Sequence, residues 1–199
     1  AYLSGEHVTQ DTERGLEMIR TVAEAGDDHA AQLLGEVYLN GTGVDADPDQ
    51  ADRWLTRASE AGNLSAQSLL GTALLRGDGN MPQDTSRGER LLTQAADRGH
   101  AGAQATLGRE YLRGNLIDLN RRKGADYLLK AAQQGHETAR LALAKAYLSA
   151  NGLENANNDQ ALVWLDGVMG GDSKMAAETL HELLSDDSAL EAMQATASR

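Results

Sequence analysis

The stretch AQLLGEVYLNGTGVDADPDQADRWLTRASEAG, which ends at Gly62, comes back in altered form as AQSLLGTALLRGDGNMPQDTSRGERLLTQAADRG, ending at Gly99. A repeat of this length restricts the chain to architectures built by stacking one small unit, because a unit this short cannot bury its own apolar face. Aligned on Gly35, the unit recurs at Gly71, Gly108 and Ala144, with offsets of 36, 37 and 36. A bulky position follows the same beat at Met18, Trp54, Leu91, Tyr127 and Trp164. Eight residues beyond it come Gly26, Gly62, Gly99, Gly135 and, as an exception, Asp172.

The spacing inside one unit predicts two helices. Ala30, Leu34 and Tyr38 are four residues apart and share one helical face, and Ala51, Trp54 and Ala58, three and four apart, share a face of a second helix. Between them lies GTGVDADPDQ, rich in turn formers, with Pro48 suited to a first helical turn. The terminal glycine is suited to stopping the second helix in a left-handed conformation. The alanines and Gly35 permit close helix approach, while Trp54, Leu91, Tyr127 and Trp164 are expected to fill the groove between units. The expected fold is all-α: a right-handed α/α solenoid over residues 1–184, closed by a polar capping helix over 185–199. It comprises four full units and two partial ones. The first residues match the middle of a unit, so the chain is expected to continue a longer protein.

Composition removes several function classes. With no cysteine there is no disulfide, thiolate metal site or cysteine nucleophile. A formal net charge of −12 argues against nucleic acid as a partner. No apolar run approaches the length of about 20 residues that a spanning helix needs. The charge is unevenly spread: residues 1–65 carry 4 basic and 13 acidic side chains, whereas 109–145 carry 8 basic and 4 acidic.

The pattern A-xxx-LG-xx-YLxG-xG…A-xx-W-xxx-A-xx-G, carried almost completely by residues 30–62, resembles the Sel1-like repeat family, a relative of the tetratricopeptide repeats with a longer inter-helix loop. That resemblance implies an adaptor that assembles complexes, often in the bacterial envelope. The run YLRGNLIDLNRRKGADYLLKAAQQGHETARLALAKAYLSANG, residues 111–152, further resembles the C-terminal repeats of the periplasmic alginate-secretion scaffold lipoproteins of pseudomonads. In that family the protein links polymer-modifying enzymes to an outer-membrane export channel. By resemblance, then, the partners would be proteins of those two kinds, and the location the periplasm, tethered through an N-terminal lipid anchor. A signalling adaptor would use the same fold.

Catalytic signatures are lacking in the sequence, and no cofactor is expected. His100 and His136 share one repeat position, where Asp27 and Asn63 stand in other units, so they lie a whole repeat apart and read as turn residues. His181-Glu182 opens like a zincin helix, but position 185 is serine and the second histidine is missing. The pairs Gly41/Gly43 and Gly77/Gly79 follow a helix, whereas a dinucleotide-binding glycine pair follows a strand. Asn63-Leu64-Ser65 is a formal glycosylation acceptor that reads as chance, and the acid pair Asp27/Asp28 reads as solvated or capping.

One feature points to binding. A helix position expected to be exposed gives Glu36, Thr72, Arg109 and Lys145 in successive units, and the position four residues later gives Asn40, Arg76, Arg113 and Ser149. Arg76, Arg109, Arg113 and Lys145 are therefore expected to form a basic ridge, with Arg140 at a neighbouring exposed position. By resemblance to other solenoids, this helix lines the concave side. Arg121, Arg122 and Lys123 are expected to extend the zone as a loop triplet. Guanidinium groups suit carboxylates, whether on an acidic protein or along an anionic polysaccharide, and the alternative is that these cations pair with Glu110, Asp118 and Asp126.

Overall fold

A computed structural model of the chain describes residues 9–148 and Val163. Within 9–148 it contains eight α-helices: α1 (Thr9–Glu24), α2 (Asp28–Asn40), α3 (Pro48–Glu60), α4 (Leu64–Arg76), α5 (Thr85–Asp97), α6 (Ala101–Arg113), α7 (Arg121–Gln133) and α8 (Glu137–Leu148). Among the described residues there is no strand. Trp164, His181 and the capping helix expected over 185–199 lie outside the described residues.

Helices α2/α3, α4/α5 and α6/α7 are the first and second helices of three successive repeats. Each start is capped in the same way. The Asp27 carboxylate accepts from the Ala30 N–H at 2.7 Å, and the Asn63 amide oxygen accepts from the Ala66 N–H at 2.9 Å. At the second-helix starts, Asp47, Asp84 and Asn120 accept from the N–H groups of Gln50, Arg87 and Lys123 at 3.0, 2.9 and 3.0 Å. Such caps stabilise a helix by about 1 kcal/mol each. The same three residues donate their own N–H to the carbonyls of Tyr38, Leu74 and Tyr111, each at 2.9 Å. A single residue thus starts the second helix and latches the loop to the end of the first.

The glycines divide into two kinds. Gly26, Gly62, Gly99 and Gly135 follow the second helices with φ between +87° and +107°, the left-handed region in which a side chain is strained. Gly35, Gly71 and Gly108 instead mark helix crossings. A Cβ at those positions would lie 2.6, 2.8 and 2.6 Å from Leu55, Leu92 and Leu128, each fully buried on the partner helix. In the later repeats the second helix also carries glycine at the crossing: Gly88 lies over Gly71 and Gly124 over Gly108, where Ala51 serves the first repeat. Burying each leucine contributes about 2 kcal/mol, and only the missing Cβ lets its helix come close enough.

The chain divides into two compact units, Ala1–Ala103 and Gln104–Arg199. In the first, Leu16, Ala23, Leu34, Val37, Trp54, Leu55, Leu70 and Leu74 form one core running through α1 to α4, with Leu91 partly buried against it. In the second, Ala105, Leu128, Ala131, Ala132, Ala139 and Leu143 join α6, α7 and α8. Trp54 is buried as the repeat pattern requires. Tyr127 is also buried, but its ring lies parallel to that of Tyr111 at a centroid distance of 6.2 Å, so it packs against the first helix of its own repeat.

Gly88→Ala provides a test of the crossing. Its Cβ would sit 2.7 Å from the Leu75 backbone nitrogen and 2.8 Å from the Gly71 oxygen, neither of which can move without shifting a helix. An unconstrained helical glycine gains about 1 kcal/mol from the change to alanine. Here a loss of about 1–3 kcal/mol is expected in urea unfolding followed by circular dichroism. A gain would mean that the helices do not cross this closely.

Candidate functional site

The cap position at the first-helix starts is also where the repeats differ chemically. Asp27 and Asn63 fill it as oxygen acceptors, and His100 fills it with a ring nitrogen, its Nδ1 accepting from the Ala103 N–H at 3.1 Å. These bonds bear out the turn reading of His100. Asn63 has no room for a glycan: its Oδ1 caps the helix while its Nδ2 donates to Asp28 Oδ2 at 3.0 Å, and the residue is buried. His136 stands at the same position before α8, where its backbone oxygen accepts from the N–H groups of Ala139 and Arg140. Its Nδ1 lies 3.1 Å from the Thr138 hydroxyl.

His136 is half-buried in the second unit. Burial, and then the guanidinium of Arg109 on α6, hold its imidazole below the ordinary histidine value. Its own backbone hydrogen bond and Glu137 act in the opposite direction. Sequence spacing did not bring His136 and Arg109 together; the only hint was that each stands where another repeat carries an uncharged residue, Asn63 or Thr72.

The basic residues fall into distinct environments. Arg76 ends α4 in the first unit, exposed. Arg109, Arg113, Arg121, Arg122, Lys123, Arg140 and Lys145 all belong to the second unit. Arg113, Arg121, Arg122 and Lys145 are exposed there. Arg109, expected to be exposed, is half-buried, as are Glu36 and Thr72 at the same repeat position. Arg140 is half-buried as well, because its Nε turns back to donate to the Ala132 carbonyl at 3.1 Å. Arg113 lies 3.6 Å from the buried carboxylate of Glu110, a pairing the sequence had offered as the alternative.

The expected loop triplet is helical. With Asn120 as cap, Arg121, Arg122 and Lys123 form the first turn of α7. Lys123 is committed to structure: its ammonium lies 4.3 Å from the Tyr111 ring centroid and donates to the Tyr111 hydroxyl. Such a contact contributes about 1 kcal/mol and holds the half-buried ammonium against the tyrosine. Arg121 and Arg122 remain exposed at the positive end of the helix dipole, where cations are disfavoured by a few tenths to about 1 kcal/mol each.

Among the described residues no group of three or more histidine, aspartate or glutamate side chains is placed to hold a metal ion, and no helix is long and apolar enough to cross a membrane. Comparison with known families now decides the class. The Sel1 repeat profile matches residues 1–27, 28–63, 64–100, 101–136 and 138–166. The chain belongs to the Sel1 repeat family. Its all-α helix–turn–helix units are those of the family's solenoid fold, and Sel1 repeat proteins generally serve as non-catalytic protein-interaction scaffolds.

Solved Sel1 structures resemble this repeat chain. One is a protective antigen present in uropathogenic Escherichia coli strains, which displays an SLR fold: it is 28% identical with a TM-score of 0.74, over 85% of this chain and 36% of that one. A Sel1 repeat protein from Oxalobacter formigenes is 32% identical with a TM-score of 0.61, over 92% and 53% of the two chains. A Sel1 repeat protein from Klebsiella pneumoniae, 22% identical with a TM-score of 0.55, shares the fold. The Sel1 chain described here thus spans about a third to a half of the length of the first two. No curated protein matches it significantly.

The state of His136 makes stability depend on pH. Its pKa is lower in the folded chain than in the unfolded one, so below about pH 6.5 the unfolded state binds more protons. Its contribution therefore falls as pH drops through that value and levels off once the folded histidine is also protonated. Urea unfolding at a series of pH values is expected to show this loss, and His136→Asn, which restores the residue found at position 63, is expected to reduce it.

Proposed function

We propose that this Sel1 chain is a non-enzymatic docking scaffold, and that its second unit offers a basic surface on α6, the first turn of α7 and α8 to the carboxylates of an acidic protein partner. The carrying observation is where the cations lie. The acidic chain reverses sign over residues 109–145, with 8 basic against 4 acidic side chains, and Arg113, Arg121, Arg122 and Lys145 are exposed there. Arg113 faces the buried Glu110 carboxylate at 3.6 Å, whereas stability gives little reason for the charges of Arg122 and Lys145. Exposed ion pairs contribute at most about 1 kcal/mol, and the dipole of α7 opposes Arg121 and Arg122. A positive island on an acidic body steers anionic partners and speeds their encounter.

The setting we propose is the periplasm of a Gram-negative bacterium, in an exopolysaccharide-secretion assembly of the alginate type. There the chain would link a polymer-modifying enzyme to an outer-membrane channel, with a lipid anchor supplied by a preceding segment. The resemblance of residues 111–152 supports this reading, as do the bacterial Sel1 structures to which the chain is similar.

Immobilised protein should retain such an enzyme or channel from an envelope extract. Charge reversal at Arg122 and Lys145, both exposed, should weaken retention about tenfold or more with helicity unchanged, 1.4 kcal/mol being a factor of about ten. Retention that survives the reversal would remove the basic surface from the account. Unrelated captured proteins would remove the secretion setting, and binding of an oligouronate alone would replace the protein partner by the polymer.

A further inference from the structure

We infer that the basic end of the second unit binds an acidic segment carrying one large apolar side chain, which seats against Leu119 while its carboxylates face Arg122 and Lys145. This rests on the docking reading above and names the class of ligand. The three residues share one end because the helices alternate in direction. Asn120, at the start of α7, donates its N–H to the carbonyl of Tyr111 near the end of α6 at 2.9 Å. A short turn over residues 134–136 then sends α8 back along α7, where Leu143 shares a core with Leu128. The last turn of α8, which holds Lys145, thus returns towards the first turn of α7, which holds Arg122.

Leu119 immediately precedes the Asn120 cap, and 49% of it is exposed. Ala46 and Gln83 hold this position before Asp47 and Asp84 in the other repeats, so the fold does not ask for a leucine. A large apolar residue there commonly packs on the fourth residue of the helix. In α7 that residue is Gly124, which has no side chain to receive it. Asp118, exposed beside Leu119, repels a carboxylate at this spot. An uncharged apolar group therefore fits over Leu119, and the acids that flank it can reach Arg122 and Lys145, both exposed. The apolar contact adds affinity that salt does not screen.

The test titrates the full chain by NMR, at low ionic strength, with two acetylated and amidated pentapeptides: leucine between two pairs of glutamates, and serine in place of that leucine. The leucine peptide is expected to bind about fivefold or more tighter, as the burial of two part-exposed apolar side chains implies. This preference should fall to about twofold or less in Leu119→Ser and persist in Leu119→Met, with circular dichroism unchanged in both. Charge reversal at Arg122 and Lys145 should weaken both peptides alike. Equal affinity of the two peptides, or a preference that survives Leu119→Ser, would overturn the inference while leaving the docking surface intact. Failure of both peptides to bind, or binding unmoved by the charge reversal, would overturn both.

Discussion

The fold depends on a close helix crossing made possible by a missing Cβ. Leu55, Leu92 and Leu128 each pack into the space above Gly35, Gly71 or Gly108. With that contact, two short helices can lie flat on each other and present a shared apolar face to the next pair. Without it the helices would separate and the small alanines along them, Ala51, Ala58, Ala95 and Ala131, would no longer fill their interface. The cap-and-latch at Asp47, Asp84 and Asn120 keeps the crossing in register, because one residue fixes both where the second helix begins and how far it lies from the first.

Once this framework exists, a cation's role depends on what stands beside it. Arg57 lies 5.6 Å from the Trp54 ring and donates to the Glu24 carbonyl, and Lys130 lies 5.5 Å from the Tyr127 ring. Arg87 bonds Asp52 and the Thr56 hydroxyl across neighbouring second helices. Lys123 sits on the tyrosine pair. Arg57, Arg87 and Lys123 reach a neighbouring helix, while Lys130 lies over a ring of its own helix. Arg122 and Lys145 are exposed on the basic second unit and are the docking candidates, whereas Arg113 shares its charge with the buried Glu110.

A repeat protein offers the same positions again and again, which makes a chemical exception informative. The cap position tolerates any acceptor, and Asp27, Asn63 and His100 all satisfy it. At His136 burial and the Arg109 charge lower the imidazole's pKa with little change to the backbone around it. A unit can change its cap residue at such a position without rebuilding the stack, since each unit's stability depends chiefly on its neighbours.

Several features were legible in the sequence because a stack of near-identical units repeats its constraints. The helix pair, the terminal glycines, the burial of Trp54 and the turn role of His100 follow from periodicity and from the few backbone conformations that glycine alone takes readily. The start of α7 was overlooked although the repeat register carried it, since Asn120 stands where Asp47 and Asp84 cap their helices and Arg121 where Pro48 opens α3. The half-burial of Arg109 and Arg140 and the capture of Lys123 by Tyr111 were not legible, since periodicity gives the face of a helix and not the side chains opposite it. The sequence by itself determined the repeat and its two-helix unit, through local spacing. Which charges are absorbed and which displayed was decided only by the tertiary structure, because that depends on partners many residues away in the chain.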